Sequence, residues 1–248
     1  MSHLTLEQRL AYIVNLELAD APRARLIAAD EGEDGAAVNA GSVVSFVANV
    51  GSQHREDALN STLFAQLGAN AAWDRYAEPV NWYKKYNEIM ENVGWVIQEF
   101  SFDKLHSNSA SFTVDKVLLE LLAALMSEDE ARVLEEAINA LKALSGDSNT
   151  AKIFENSSHD YKKANAQLGV ASDEDGVLVM KMGFFYVSTV QNITRVLWFE
   201  FKSGESDMFK AKSSINLNEQ VYGQVRQTVI DKLGARAKKY IDDLPLGD

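Results

Sequence analysis

The 248-residue chain contains no cysteine, only three prolines and no long apolar run. Without cysteine there can be no disulfide framework, thiolate zinc site, iron–sulfur cluster or cysteine nucleophile. So little proline, with only 14 glycines, excludes collagen-like and low-complexity architectures. The longest strongly apolar stretch, Val117 to Met126, is interrupted by Glu120 and falls well short of the roughly 20 residues a membrane-spanning helix needs. Basic residues are also scarce. Twenty-four Lys and Arg face 36 Asp and Glu, a net charge of −12, so a nucleic-acid partner is not expected because its phosphates would be repelled. Met1 to Glu7 lacks the basic and apolar regions of a signal peptide, so the expected location is cytoplasmic, or exported without a classical signal.

Chemical signatures are missing as well. The sequence has no phosphate-binding glycine loop, dinucleotide fingerprint, nucleophile elbow, zincin motif or EF-hand loop. No cofactor and no metal are therefore expected. The only four histidines, His3, His54, His106 and His159, are widely separated in polar segments. His54-Arg55-Glu56-Asp57 reads as the acidic first turn of a helix, and Asp173-Glu174-Asp175-Gly176 as a solvated turn.

The segments that are present predict an α+β fold in a single domain spanning 1–248. Its halves differ in charge: residues 1–60 carry −5, 61–150 carry −7, and 151–248 are neutral. The first half, about 1–150, reads as mainly helical. Thr5 and Gln8 form a capping box before Leu6, Leu10 and Ile13. Pro22 and the acidic run from Asp30 to Asp34 with Gly35 read as a loop, and a second helix is expected over Glu56–Arg75. Pro79 opens a third helix that Gly94 stops, and Trp95–Phe102 follows as a strand. Thr113 is expected to cap a helix through Met126, and Ser127 with Glu130 to cap another through Leu144.

The second half, about 151–248, reads as an antiparallel β-meander. A more polar strand around Ala164–Val170 precedes Val177–Val187, where apolar side chains fall on both parities and Lys181 is the only charge. Val196–Lys202 is expected as the next strand, turning through Ser203–Ser206 into Asp207–Ile215. A closing amphipathic helix is expected over Asn218–Asp243. A strand apolar on both faces needs cover on both faces, so helices are expected on each side of the sheet. This layout resembles that of the bacterial Cyt-type cytolysins in architecture; no sequence motif carries the likeness.

Two clusters are candidate sites. Six of the 23 aromatics lie between Trp73 and Trp95. Trp73 with Tyr76 and Trp82 with Tyr86 share helix faces, and Tyr83 joins them, giving a candidate surface for a partner protein or a small apolar ligand. Lys232, Arg236, Lys238 and Lys239 form a basic cluster suited to anionic lipid, or to the negative end of a helix. The reading these features favour is a non-enzymatic binding or assembly protein using the aromatic surface. A soluble, membrane-active, cytolysin-like protein is the first alternative. A hydrolase-type enzyme assembled from distant carboxylates and His is the second.

Overall fold

The computed structural model describes residues 4–19, 33–97, 100, 102–105 and 109–246. The Thr5–Gln8 capping box forms, and α1 (Leu6–Asn15) follows it. The loop expected around Pro22 and Asp30 lies outside the described residues up to position 32. A hairpin the sequence reading did not anticipate comes next, β1 (Gly35–Asn39) and β2 (Ser42–Phe46). Every residue of both strands is buried, so no polar–apolar alternation marks them. Ala40 in the connection is left-handed (φ 50°).

Then come α2 (Ser52–Ala72) and α3 (Pro79–Val93). Pro79 occupies the first turn of α3 and Gly94 its left-handed cap (φ 116°), as the sequence indicates. The expected Trp95–Phe102 strand is β3 (Trp95–Ile97). Residues 98, 99 and 101 lie outside the described set. Short β4 (Asp103–Lys104) and β5 (Ser111–Phe112) lead to α4 (Val114–Ala123) and α5 (Glu128–Ala143). An unanticipated α6 (Asn149–Ser158) is capped by the Ser148 side chain.

The chain then builds β6 (His159–Asp160), β7 (Lys163–Glu174) and β8 (Val177–Thr189). Asp175 (φ 55°) and Gly176 (φ 82°) form the two-residue turn between the two long strands, the Asp-Gly chemistry such hairpins use. β9 (Phe201–Lys202) pairs with β5 in a small separate sheet. β10 (Ser206–Leu217), α7 (Glu219–Leu233), α8 (Ala237–Tyr240) and β11 (Ile241–Asp243) finish the chain.

The main sheet runs β11-β1-β2-β7-β8-β10-β3, with β4 also on β10 and β6 also on β7. Its heart, β7-β8-β10, is the expected antiparallel meander. Two apolar cores lie against its opposite faces. One joins Leu178, Met180, Met182 and Phe184 of β8 to residues of α1, α2, α3 and α7. The other joins Phe185 and Val187 of β8 to α4, α5 and α6. The fold is thus α+β with helices on both faces of a largely antiparallel sheet.

Four expectations need correction. The sheet is not only a meander, because β2 runs parallel to β7, with Ser42 opposite Gln167 and Phe46 opposite Ala171. Of Val196–Lys202 only Phe201–Lys202 is strand (β9): the N–H groups of Trp198 and Phe199 donate to Arg195 O in a turn, while Val196 and Leu197 plug the second core. A short apolar run buried on all sides does not distinguish strand from turn. Ser203–Ser206 is not a hairpin loop either; Ser203–Glu205 is a 3-10 turn leading from the small sheet into β10, which pairs with β8. The expected Asn218–Asp243 helix is broken: α7 stops at Leu233, where Gly234 takes a positive φ, only the short α8 follows, and β-branched Ile241 begins an edge strand on β1.

Candidate functional site

The aromatic candidates separate by burial. Trp82, Tyr83 and Tyr86 are fully interior, whereas Trp73 is 39% exposed and Tyr76 is partly buried. Trp82 and Tyr86 stack at 5.6 Å between centroids, and Tyr83 meets Phe184 of β8 edge-on at 5.5 Å. These three rings therefore anchor α3 to the sheet and offer no surface to a partner. Helical spacing correctly puts Trp82 and Tyr86 on one face, but that face is the inward one.

They surround a buried polar knot. Tyr83 donates to Asn165 Oδ1 at 2.6 Å, and Arg75 Nη2 donates to the Asn165 carbonyl at 3.0 Å. Asn165 Nδ2 returns a bond to the Arg75 carbonyl, while Ser42 donates to Gln167 Oε1 at 2.7 Å. Arg75 is 6% exposed, has no carboxylate in ion-pair range among the described residues, and lies 4.6 Å from the Trp82 ring centroid. Burial pushes the Tyr83 and Tyr86 hydroxyls above the ordinary tyrosine range, so both stay protonated. Gly41 makes room for the guanidinium: a Cβ there would sit 2.8 Å from both terminal nitrogens of Arg75 and from the Ser157 carbonyl oxygen.

The second helical layer has a different fastening. Lys181, the lone charge of β8, donates to both oxygens of Glu130 at 2.7 and 2.8 Å and to Glu174 at 2.9 Å. Glu130 also completes the capping box of α5 and accepts from Ser172 Oγ at 2.6 Å. Burial raises its pKa, but the bonds from Lys181, Ser172 and the Ser127 N–H outweigh that and hold the carboxyl below its usual range.

The basic cluster does not sit along one helix. Lys232 ends α7 and donates to the Val14 carbonyl at 2.7 Å; Arg236 lies in a 3-10 turn, and Lys238 and Lys239 in α8. Lys238 is exposed, and the other three are partly buried.

His3 and His106 lie outside the described residues. His54 lies 3.5 Å from Asp173 and 3.7 Å from Glu219, and His159 lies 3.5 Å from Glu155. Burial lowers the His159 pKa, keeping the ring neutral. Of the acidic candidates, Asp57 is engaged by Arg226 at 2.8 Å, and Asp173 closes the β7–β8 turn by accepting from the Gly176 N–H. Among the described residues no three His, Asp or Glu are grouped to hold a metal.

A further opening was not foreseen. It is a cleft of about 1410 Å³, counting its open mouth, at the start of α4. Lys116 and Glu120 of α4, Lys210 of β10, and Glu200 and Trp198 before β9 line it. Ser111 donates to Glu200 Oε1 at 2.5 Å. Thr113 Oγ1 and Trp198 Nε1, on two lining residues, are shielded from solvent without a hydrogen-bond partner among the described residues. Lys116, Glu120 and Lys210 make no ion pair with any described residue. Sequence inspection could not find this cleft, because four separate segments supply its walls. A smaller, wholly apolar slot of about 330 Å³ lies beside α3, between Val80, Phe102, Tyr186 and Phe209.

No family model and no curated protein sequence matches the chain. Three solved structures resemble it loosely. One described as a delta-endotoxin is 13% identical, with 81% of this chain and 89% of that chain covered and a TM-score of 0.44. The activated Cyt2Ba monomer from Bacillus thuringiensis subsp. israelensis is 9% identical over 72% and 97% of the two chains, with a TM-score of 0.42. The Evf virulence factor is 7% identical over 79% and 84%, with a TM-score of 0.37.

Proposed function

We propose that the protein acts on lipid membranes by transferring apolar surface, now covered by its own helices, to a bilayer. The observation that carries this reading is the nature of the contact between α4–α6 and the sheet. That contact joins aliphatic side chains such as Val117, Leu118, Leu122, Leu134 and Ile138 to Leu168, Val170, Phe185 and Val187. Acyl chains are as apolar as leucine, so lipid can replace such contacts at little cost. The Glu130–Lys181 pair is then the buried ion pair to be broken as α5 leaves the sheet, together with the Ser172–Glu130 bond and the more exposed Arg132–Asp34 pair.

The exposed sheet is long enough to matter. β7, β8 and β10 have 12, 13 and 12 residues, against the roughly 9–11 that a tilted strand needs to cross the hydrocarbon. Among the described residues no helix is long and apolar enough to cross a membrane. The basic groups Lys232, Arg236, Lys238 and Lys239 would supply first contact with anionic headgroups despite the overall acidity. The test is dye release from zwitterionic and anionic vesicles between pH 4 and 9. Release is expected, strongest toward acid, where the carboxylates lose charge. No leakage and no co-sedimentation at any pH would remove this reading.

A further inference from the structure

We propose that the cleft at the start of α4 binds a neutral saccharide. This goes beyond membrane action and does not depend on it. The choice of ligand class follows from what the cleft offers. Its charged groups balance, with Lys116 and Lys210 set against Glu120 and Glu200. A phosphate or polyanion would meet two carboxylates, and a cation would meet two ammonium groups. A neutral ligand rich in hydroxyls avoids both penalties, since each hydroxyl donates to a carboxylate and accepts from an ammonium.

The hydrogen-bonding inventory fits the same class. The ammonium groups of Lys116 and Lys210 and the carboxylate of Glu120 are unengaged by any described residue, although Lys116 and Glu120 stand four residues apart on α4, a spacing that favours pairing. Glu200 is already steered by Ser111, which leaves its second oxygen to accept. Thr113 Oγ1 and Trp198 Nε1 have no partner among the described residues, which is costly for shielded groups. Phe112 and Trp198 add aromatic walls suited to the apolar face of a sugar ring. These walls are held in place from behind: Phe112 stacks on Phe201 at 5.5 Å, and the Arg195 guanidinium carbon lies 4.5 Å over the Trp198 ring. The opening exceeds a single ring, which points to a short oligosaccharide.

The experiment uses the full chain with cellotriose, maltotriose, chitotriose and N-acetyllactosamine as probes, read by saturation-transfer NMR and by tryptophan fluorescence titration. Inorganic phosphate and phosphocholine are run as competitors. At least one saccharide is expected to bind, with transfer to its ring protons and no displacement by phosphate. Glu120→Gln and Lys210→Met should each weaken that binding at least tenfold while leaving the melting temperature within a few degrees, because neither side chain is paired with any described residue. Trp198→Phe tests the wall with less disturbance than alanine and should weaken binding without changing which saccharide is preferred. If no saccharide binds at millimolar concentration, or the best binder is indifferent to Glu120→Gln and Lys210→Met, the proposal is wrong. Tight binding of phosphate or phosphocholine, lost in Lys210→Met, would replace it with an anion or lipid-headgroup site. Vesicle leakage is scored separately, so either proposal can fail alone.

Discussion

The two helical layers hold the same sheet by different means. On one face, aromatic rings of α3 surround hydrogen bonds that tie Arg75 and Tyr83 to Asn165, and Gln66 of α2 donates to the Asn39 carbonyl of β1. On the other, α4–α6 rest on aliphatic contact plus one buried charged fastening, Glu130 to Lys181, with further polar bonds from Arg132 to Asp34 and from Thr150 to Asp242 at the edges. A hydrogen-bonded interface is specific and loses much when it is moved into lipid, because every freed group then lacks a partner. An aliphatic interface is indifferent to whether its neighbour is leucine or an acyl chain. The first layer is built to stay and the second can leave.

The sharpest way to break this contrast is to remove one half of the fastening. Lys181→Ala leaves Glu130 buried without its partner and should cost about 3–5 kcal/mol in urea unfolding. The paired change Glu130→Leu with Lys181→Met should recover most of that loss and also promote leakage, since the buried ion pair then no longer resists separation. If the double variant is as unstable as the single one, the fastening is more than an ion pair. Next in size, Leu118→Ala should cost about 2–4 kcal/mol through the cavity it opens in the second core. In the first layer, Gly41→Ala drives a methyl against Arg75 and the Ser157 carbonyl, and about 1–3 kcal/mol is expected. Tyr83→Phe, which strips one donor from Asn165, should cost about 1–2 kcal/mol and leave vesicle leakage unchanged.

The smallest expected effect is also the most diagnostic in sign. Glu130 has a depressed pKa in the fold, so its stabilising contribution is complete above the ordinary glutamate range and is lost as pH falls through the folded value. Asp243 on β11 behaves oppositely. Burial, reinforced by neighbouring Asp242, raises its pKa to about 6, so ionising it costs stability as pH rises from the ordinary aspartate range to about 6. Acid should therefore loosen α5 while tightening β11. Hydrogen exchange at pH 4 and pH 7 checks this, and Asp243→Asn should gain about 1 kcal/mol at pH 8 and nothing at pH 4. Parallel pH responses of α5 and β11 would dissolve the distinction.

The sequence made some of this legible and hid the rest for physical reasons. Where a local signal fixes local structure, reading succeeds: the boxes Thr5–Gln8 and Ser127–Glu130, Gly94 as a left-handed cap, and the Asp175-Gly176 turn. The two-sided apolar pattern of β8 correctly implied cover on both faces. β1 and β2 went unseen because both their faces are buried among small residues, which erases alternation. β11 was absorbed into a helix because Tyr240 and Ile241 continue the apolar stripe of α7 in phase, and only Gly234 signals the break. The aromatic cluster misled because periodicity reports which residues share a face and says nothing about what that face meets. The cleft had no local signal at all: Lys116, Glu200 and Lys210 are neighbours only after the sheet has formed.

Energy transfer in the presence of vesicles tests the central claim most directly, and the lack of cysteine lets paired labels be placed freely. One pair joins the exposed Glu135→Cys site on α5 to Val177→Cys at the start of β8; the other joins Glu56→Cys on α2 to the same sheet position. Transfer between α5 and the sheet should collapse when vesicles are added, while transfer between α2 and the sheet persists. Unchanged transfer in both pairs on vesicles that the protein nonetheless permeabilises would contradict the account, because the second layer would then have stayed in place.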